Sequence, residues 1–164
     1  MIFRGFYLLI CSLLLMSCTS GPGFSGAHID TELQPQSALK AAAEVRGQYV
    51  LWGGRIIQAE PREASTTLEV LAFPLQRNQR PDTAKTSEGR FIIVYPGYLE
   101  PADYSANRLI TVVGRLNDPR SGNVGEAVYH YPVVTGDDLY LWPEQQQGDS
   151  EPRVRFGVGV GIMR

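Results

Sequence analysis

The sequence predicts a mostly-β domain, a small closed β-barrel with one short N-terminal helix. Three observations carry that prediction. Five or six short runs of β-branched and aromatic residues follow one another between clusters of Gly, Pro, Asn and Asp. One alanine-rich stretch alone has the markings of a helix. A glycine pair, Gly53-Gly54, interrupts the first long strand run, where a small barrel needs a corner or a close backbone approach.

In chain order, Ser37 to Arg46 reads as the helix. Ser37 can cap its start, alanines fill its middle, and Gly47 supplies the left-handed stop. Strands follow at Tyr49–Ile57, Thr67–Phe73, Arg90–Tyr95, Arg108–Leu116 and Glu126–Val134, with a short edge strand at Asp137–Trp142. In the second of these, Leu68, Val70 and Ala72 share one side. Pro74 ends it, and polar residues from Gln76 to Glu88 read as a long exposed loop. A turn of helix is expected after Pro101. Asn117 to Gly122 has turn composition. Near the end, Val154 to Ile162 alternates apolar residues with glycines, giving one apolar and one bare face. Such a strand suits packing inside its own domain, with pairing to a second chain as the alternative. The spacing, with a helical segment between the third and fourth strands, fits a five-stranded OB-fold-like barrel better than an eight-stranded one.

The start of the chain has a different character. Arg4 precedes an 11-residue apolar run, Phe6 to Met16, with Ser12 inside it, and then come Ser17 and Cys18. That run falls well short of the ~20 residues that cross a bilayer. A cationic start, a short apolar core and a small residue before cysteine read as a lipoprotein signal peptide over residues 1–17, with Cys18 the lipidated first residue of the mature chain. Acyl chains on Cys18 would provide stable attachment, since two hydrophobic signals suffice. Thr19, not Asp, follows the cysteine, which by the sorting rule for lipoproteins favours the outer membrane. Residues 18–36 read as a flexible tether, rich in Gly, Pro and Ser at its start. Residues 37–164 read as the folded domain.

Composition narrows the function. Removing residues 1–17 leaves 147, enough for one core without disulfides. Arg4 is the one charged residue removed, so 14 Lys and Arg face 17 Asp and Glu, a balance of −3. Nucleic-acid binding wants a basic surface instead, and no polybasic stretch suggests adhesion to anionic lipid. Cys11 is lost with the signal peptide and Cys18 is acylated, leaving no thiol, which suits an oxidising exported compartment.

Chemistry-bearing groups are few. His28 lies on the tether, and His130 sits in a strand between Tyr129 and Tyr131, the setting of a half-buried, hydrogen-bonded histidine. Asp137, Asp138 and Glu126 are the carboxylates a metal would have to use with so few histidines, and turn chemistry explains them better. No metal or cofactor is expected. Glu100 and Asp103, beside Tyr98 and Tyr104, form the one carboxylate pair that a glycan hydrolase could use, with Asp103 as a turn cap the simpler reading. Trp52, Tyr95, Tyr140, Trp142 and the tyrosines already named are mostly core and rim residues. By analogy with the fold, a ligand face would lie near Phe73, Tyr95 and the Gln76–Glu88 loop.

Several segments together resemble the Slp family of starvation-inducible outer-membrane lipoproteins. They are the Leu15–Cys18 box, Val50 to Ile57, Leu68 to Val70 with Pro74-Leu75, and Gly89 to Phe91. Pro96 to Tyr104, Arg108 to Gly114 and Tyr129 to Val134 complete the set. The likeness runs to about Trp142. It implies an outer-membrane, periplasm-facing lipoprotein tied to stress or stationary phase, and it carries over Cys18 alone as a functional residue. The reading is thus a non-catalytic binding or structural protein held to the bilayer through Cys18, with an envelope protein or a second copy as partner. An envelope glycan hydrolase using Glu100 and Asp103 is the alternative.

Overall fold

The structure, a computed structural model, describes residues 21–144. The expected signal peptide, Cys18 and the glycine-alternating stretch lie outside the described residues. Within them the chain is mostly β. Its strands are β1 (Ile29–Asp30), β2 (Tyr49–Pro61), β3 (Ser65–Ala72), β4 (Arg90–Pro96), β5 (Leu109–Val124) and β6 (Ala127–Leu141).

One six-stranded sheet holds all of them in the order β1-β2-β3-β4-β6-β5, and β2 also pairs with β5. The pairings are therefore cyclic from β2 through β3, β4, β6 and β5 back to β2. All are antiparallel except β4 with β6 and β1 with β2. The first half of β2, Tyr49 to Arg55, faces β5, and the second half, from Gly54, faces β3. Gly54 and Arg55 belong to both ladders.

The glycine pair thus sits where one strand changes partners. A Cβ on Gly54 would meet the carbonyl oxygen of Leu71 and lie 2.7 Å from Val70 Cγ1. On Gly53 it would lie 2.9 Å from the Ile110 carbonyl. Close backbone approach, not turn conformation, is what these glycines serve.

Alternation fills the core. In β3 every second residue from Thr66 to Ala72 is buried. Leu68, Val70, Phe91, Ile93, Ile110, Val112 and Val134 are all sealed from solvent, and Trp52 packs edge-on to Phe91 at 5.2 Å. Buried Thr66 donates its hydroxyl to Gly97 O and accepts from Leu99 N–H, each at 2.9 Å, which fastens the loop after β4 to the core.

The described part of the expected tether is folded against the sheet. Ile29–Asp30 adds a strand beside the start of β2, and the Asp30 carboxylate accepts from the N–H groups of Glu32 and Leu33. Trp52 Nε1 donates to Leu33 O at 2.6 Å. These residues lack periodicity because they are held one by one, through backbone groups and single side chains.

The single expected helix is two short ones, α1 (Pro35–Lys40) and α2 (Ala42–Val45). Pro35 stands in the first turn, where its missing N–H costs nothing. Ala41, at φ −108° and ψ 29°, breaks the run. The alanines carry propensity, but buried Ala38 and partly buried Val45 are what tie the pair to the core.

Three more expectations change. The Asn117–Gly122 turn is interior to β5, where a register shift between Asn117 and Arg120 absorbs Pro119 as a bulge. The chain reverses later, at Gly125, whose φ is +60°. The two strands expected at 126–134 and 137–142 are one, β6, bending across Gly136. After Pro101 there is a turn rather than a helix, with Asp103 and Tyr104 N–H both donating to Glu100 O at 3.0 Å.

Candidate functional site

The residues singled out in the sequence do not converge. Glu100 and Asp103 are exposed and line none of the four cavities described here. Glu100 is the turn anchor: besides its carbonyl, its carboxylate accepts from Tyr98 OH at 3.1 Å, which raises the Tyr98 pKa. Asp103 offers only its carbonyl, to Arg108 Nη1. His28 is exposed and meets the Tyr49 ring edge-on. His130 is exposed rather than half-buried, its Nδ1 3.0 Å from Ser121 Oγ across the β5–β6 ladder. Asp137, Asp138 and Glu126 are exposed, and among the described residues no three His, Cys, Asp or Glu side chains group as metal ligands would.

Nor do the aromatics make one platform. Tyr129 OH accepts from Gln36 Nε2 and from Arg90 N–H, each at 2.9 Å, joining α1 to β4. Beside it, Tyr131 donates to Glu69 at 3.2 Å, while Arg90 pairs with the same carboxylate at 2.7 Å. That hydrogen bond raises the Arg90 pKa, and burial followed by the nearby Glu69 charge raises that of Tyr131. Tyr104 is raised chiefly by burial. Phe73 borders a cavity of about 240 Å³ under the N-terminal segment, together with Trp52, Leu33 and Glu88, whose pKa burial raises. The expected ligand face near Phe73 thus has a hollow, but Tyr95 is not part of it.

The most distinctive hollow lies elsewhere and was not foreseen. About 420 Å³ in volume, it is bordered by three arginines, Arg55, Arg80 and Arg108, by Trp142, and by one carboxylate, Glu144. Each arginine arrives by a different route. Arg55, like Gly54, is paired to both β3 and β5, and its guanidinium lies 5.7 Å from the Phe73 ring centre. Arg108 leads into β5, and its carbonyl accepts from Ile56 N–H at 2.9 Å. Its Nη2 donates to Trp142 O at 3.1 Å. Arg80 follows Gln79, which adopts a left-handed φ of +68°.

Gln79 is the hub of that corner. Its side chain exchanges two hydrogen bonds with the Phe24 backbone, at 2.6 and 3.0 Å, and its carbonyl accepts from Thr111 Oγ1 at 2.7 Å. Thr111 in turn accepts from Trp142 Nε1 at 2.9 Å, and Arg80 stacks over the indole at 5.2 Å. So Asn78 to Pro81 of the expected exposed loop are folded inward, while Gln76, Arg77 and Thr83–Ser87 are exposed.

The electrostatics are one-sided. Three guanidiniums face one carboxylate, and Glu144 is largely exposed at 3.6 Å from Arg108 Nε. That Nε is buried without a hydrogen-bond partner among the described atoms. An unmet buried donor on a charged group is costly, and planar guanidiniums match oxyanions through paired N–H bonds. The hollow is chemically suited to a phosphate or carboxylate. Residues 55, 80 and 108 are too far apart in sequence to form a motif, and the overall net charge of −2 hides a local cationic group.

Fold and site together define a mostly-β domain with a cationic hollow where its N-terminal lead-in meets the end of the sheet. A family model described as "Outer membrane lipoprotein Slp family" matches residues 15–159. The chain belongs to that family, and so to a group of outer-membrane lipoproteins. It is 27% identical over 137 residues to "Uncharacterized lipoprotein YeaY" of Escherichia coli K12, covering 83% of this chain and 70% of that protein. It is 27% identical to "Outer membrane protein Slp" of the same organism, covering 85% and 74%. An uncharacterized protein of Haemophilus influenzae Rd is 33% identical over 68% of this chain, a match spanning 58% of its own length.

Proposed function

We propose that the protein is a lipid-anchored component of the outer membrane that faces the periplasm and acts by binding or by supporting envelope structure, without catalysis. On this reading residues 1–17 are a signal peptide, Cys18 is acylated, residues 18–36 lead into the domain, and the folded part begins earlier than residue 37. The observation that supports it best is the family match beginning at residue 15, which takes in the Leu15–Cys18 box. The cyclic strand pairing, with β4 and β6 parallel, favours a small five-stranded barrel of OB-like order for the sheet. A stress or stationary-phase role and an envelope protein or second copy as partner belong to the same proposal. For the glycan-hydrolase alternative no geometry speaks, since Glu100 serves a turn and Asp103 faces solvent.

Cys18→Ser tests the anchor. Removing every acyl chain removes about 0.8 kcal/mol of membrane affinity per buried methylene. Cell fractionation should therefore find the native chain in the outer membrane and essentially none of the variant there. A variant that still fractionates with the outer membrane would overturn the reading.

A further inference from the structure

We propose that the hollow between Arg55, Arg80 and Arg108 seats the phosphate of an anionic lipid headgroup beside the anchor, and so fixes how the domain stands on the membrane. The proposal rests on acylation of Cys18 and adds a second, specific contact to it.

The chain enters the fold beside the hollow. Gly21 packs against the Asn78 carbonyl and the Trp142 ring, so closely that a Cβ there would lie 3.3 Å from the indole. Trp142 borders the hollow and carries Arg80 on its face. Cys18 is three residues before Gly21, and three residues of chain span at most about 11 Å. An acylated cysteine lies at the headgroup level. Gly21, which packs on the hollow's Trp142, is thereby held within about 11 Å of the anchored cysteine, a distance comparable to the Debye length of roughly 8–10 Å at physiological salt, whatever path residues 18–20 take.

The chemistry at that position selects the ligand. Guanidiniums outnumber carboxylates there three to one, although the mature chain as a whole is acidic. Arg108 Nε, buried without a hydrogen bond among the described atoms, has the largely exposed Glu144 carboxylate 3.6 Å away, and an arriving oxyanion would take that carboxylate's place. A headgroup phosphate meets both conditions and is delivered by the anchor at high local concentration. The same oxyanion chemistry also exists in free phosphate, so the test separates the two sources.

The full-length lipidated protein is reconstituted into vesicles of phosphatidylethanolamine alone and of phosphatidylethanolamine mixed with phosphatidylglycerol. Trp142 emission is read at constant ionic strength, with Trp142→Phe identifying its share of the signal. In a second arm the protein in phosphatidylethanolamine is titrated with inorganic phosphate. The emission should change on addition of phosphatidylglycerol, with half-response needing about fivefold more of it in Arg80→Gln or Arg55→Gln, and Arg80→Lys keeping part of the response. Circular dichroism checks that these half-buried arginine variants fold.

A response to phosphate at lower concentration than to phosphatidylglycerol would assign the hollow to a soluble anion and overturn the proposal. So would an equal response in Arg80→Gln, or none in either arm. The anchor is judged separately: if the purified chain carries no acyl groups yet the phosphatidylglycerol response and its Arg80 dependence persist when vesicles are added, the anchor reading fails and the headgroup site stands.

Discussion

Gly54→Val should cost about 3 kcal/mol or more, a large share of the about 5–15 kcal/mol that typical domains have to lose. The reason is the double pairing of β2. Gly54 is hydrogen-bonded territory on both sides, opposite Ala72 of β3 and Ile110 of β5. The new Cβ would run into the Leu71 carbonyl, a main-chain atom that cannot yield without opening the ladder. Flexible side chains give way to an added methyl, whereas a paired backbone does not. Gly47→Ala is the matched control. Gly47 has a φ of +80° but open space where a Cβ would stand, so its cost is conformational, about 1–2 kcal/mol. Urea denaturation compares the two by shift in midpoint at unchanged slope. A Gly54→Val protein as stable as the Gly47→Ala protein would refute the partner-switch account of β2.

Trp52→Ala should cost about 3–5 kcal/mol through the lost ring alone. Its indole is buried to 4% exposure against Phe91, and its Nε1 holds the Leu33 carbonyl. Trp52→Phe separates these roles. The ring stays, the hydrogen bond goes, and the loss should fall to about 0.5–1.5 kcal/mol. Hydrogen exchange in Trp52→Phe should rise at Glu32 and Leu33, next to the lost contact, and stay unchanged at Val70 and Ile93. Uniform change across the sheet would mean that the N-terminal segment is not separately fastened by this bond.

What was legible in the sequence follows from what local pattern can encode. The alternation in β3 and the apolar runs of β2, β4 and β5 report burial, and burial is what shaped them. The Gly53-Gly54 pair signalled a close approach before its partner strands were known. Pro119 misled, because a bulge in a long hairpin tolerates the missing N–H that a regular ladder would not. The alanine run misled differently: propensity favours helix at every position, yet the run breaks at Ala41, and the core contacts of Ala38 and Val45 lie on either side of that break. Residues 21–34 looked like linker because their attachments are long-range, Phe24 to Gln79 and Leu33 to Trp52. The arginine hollow was illegible for the same reason. Its three charges meet only once β2, the loop after β3 and the start of β5 are folded together.

The account depends most on Cys18, and the intact mass of the mature protein extracted from outer membranes tests it most directly. The prediction is a chain that begins at Cys18 and carries a diacylglyceryl group on sulfur and an acyl chain on its amino group. A chain that retains residues 1–17, or one with a free thiol at Cys18, would contradict it.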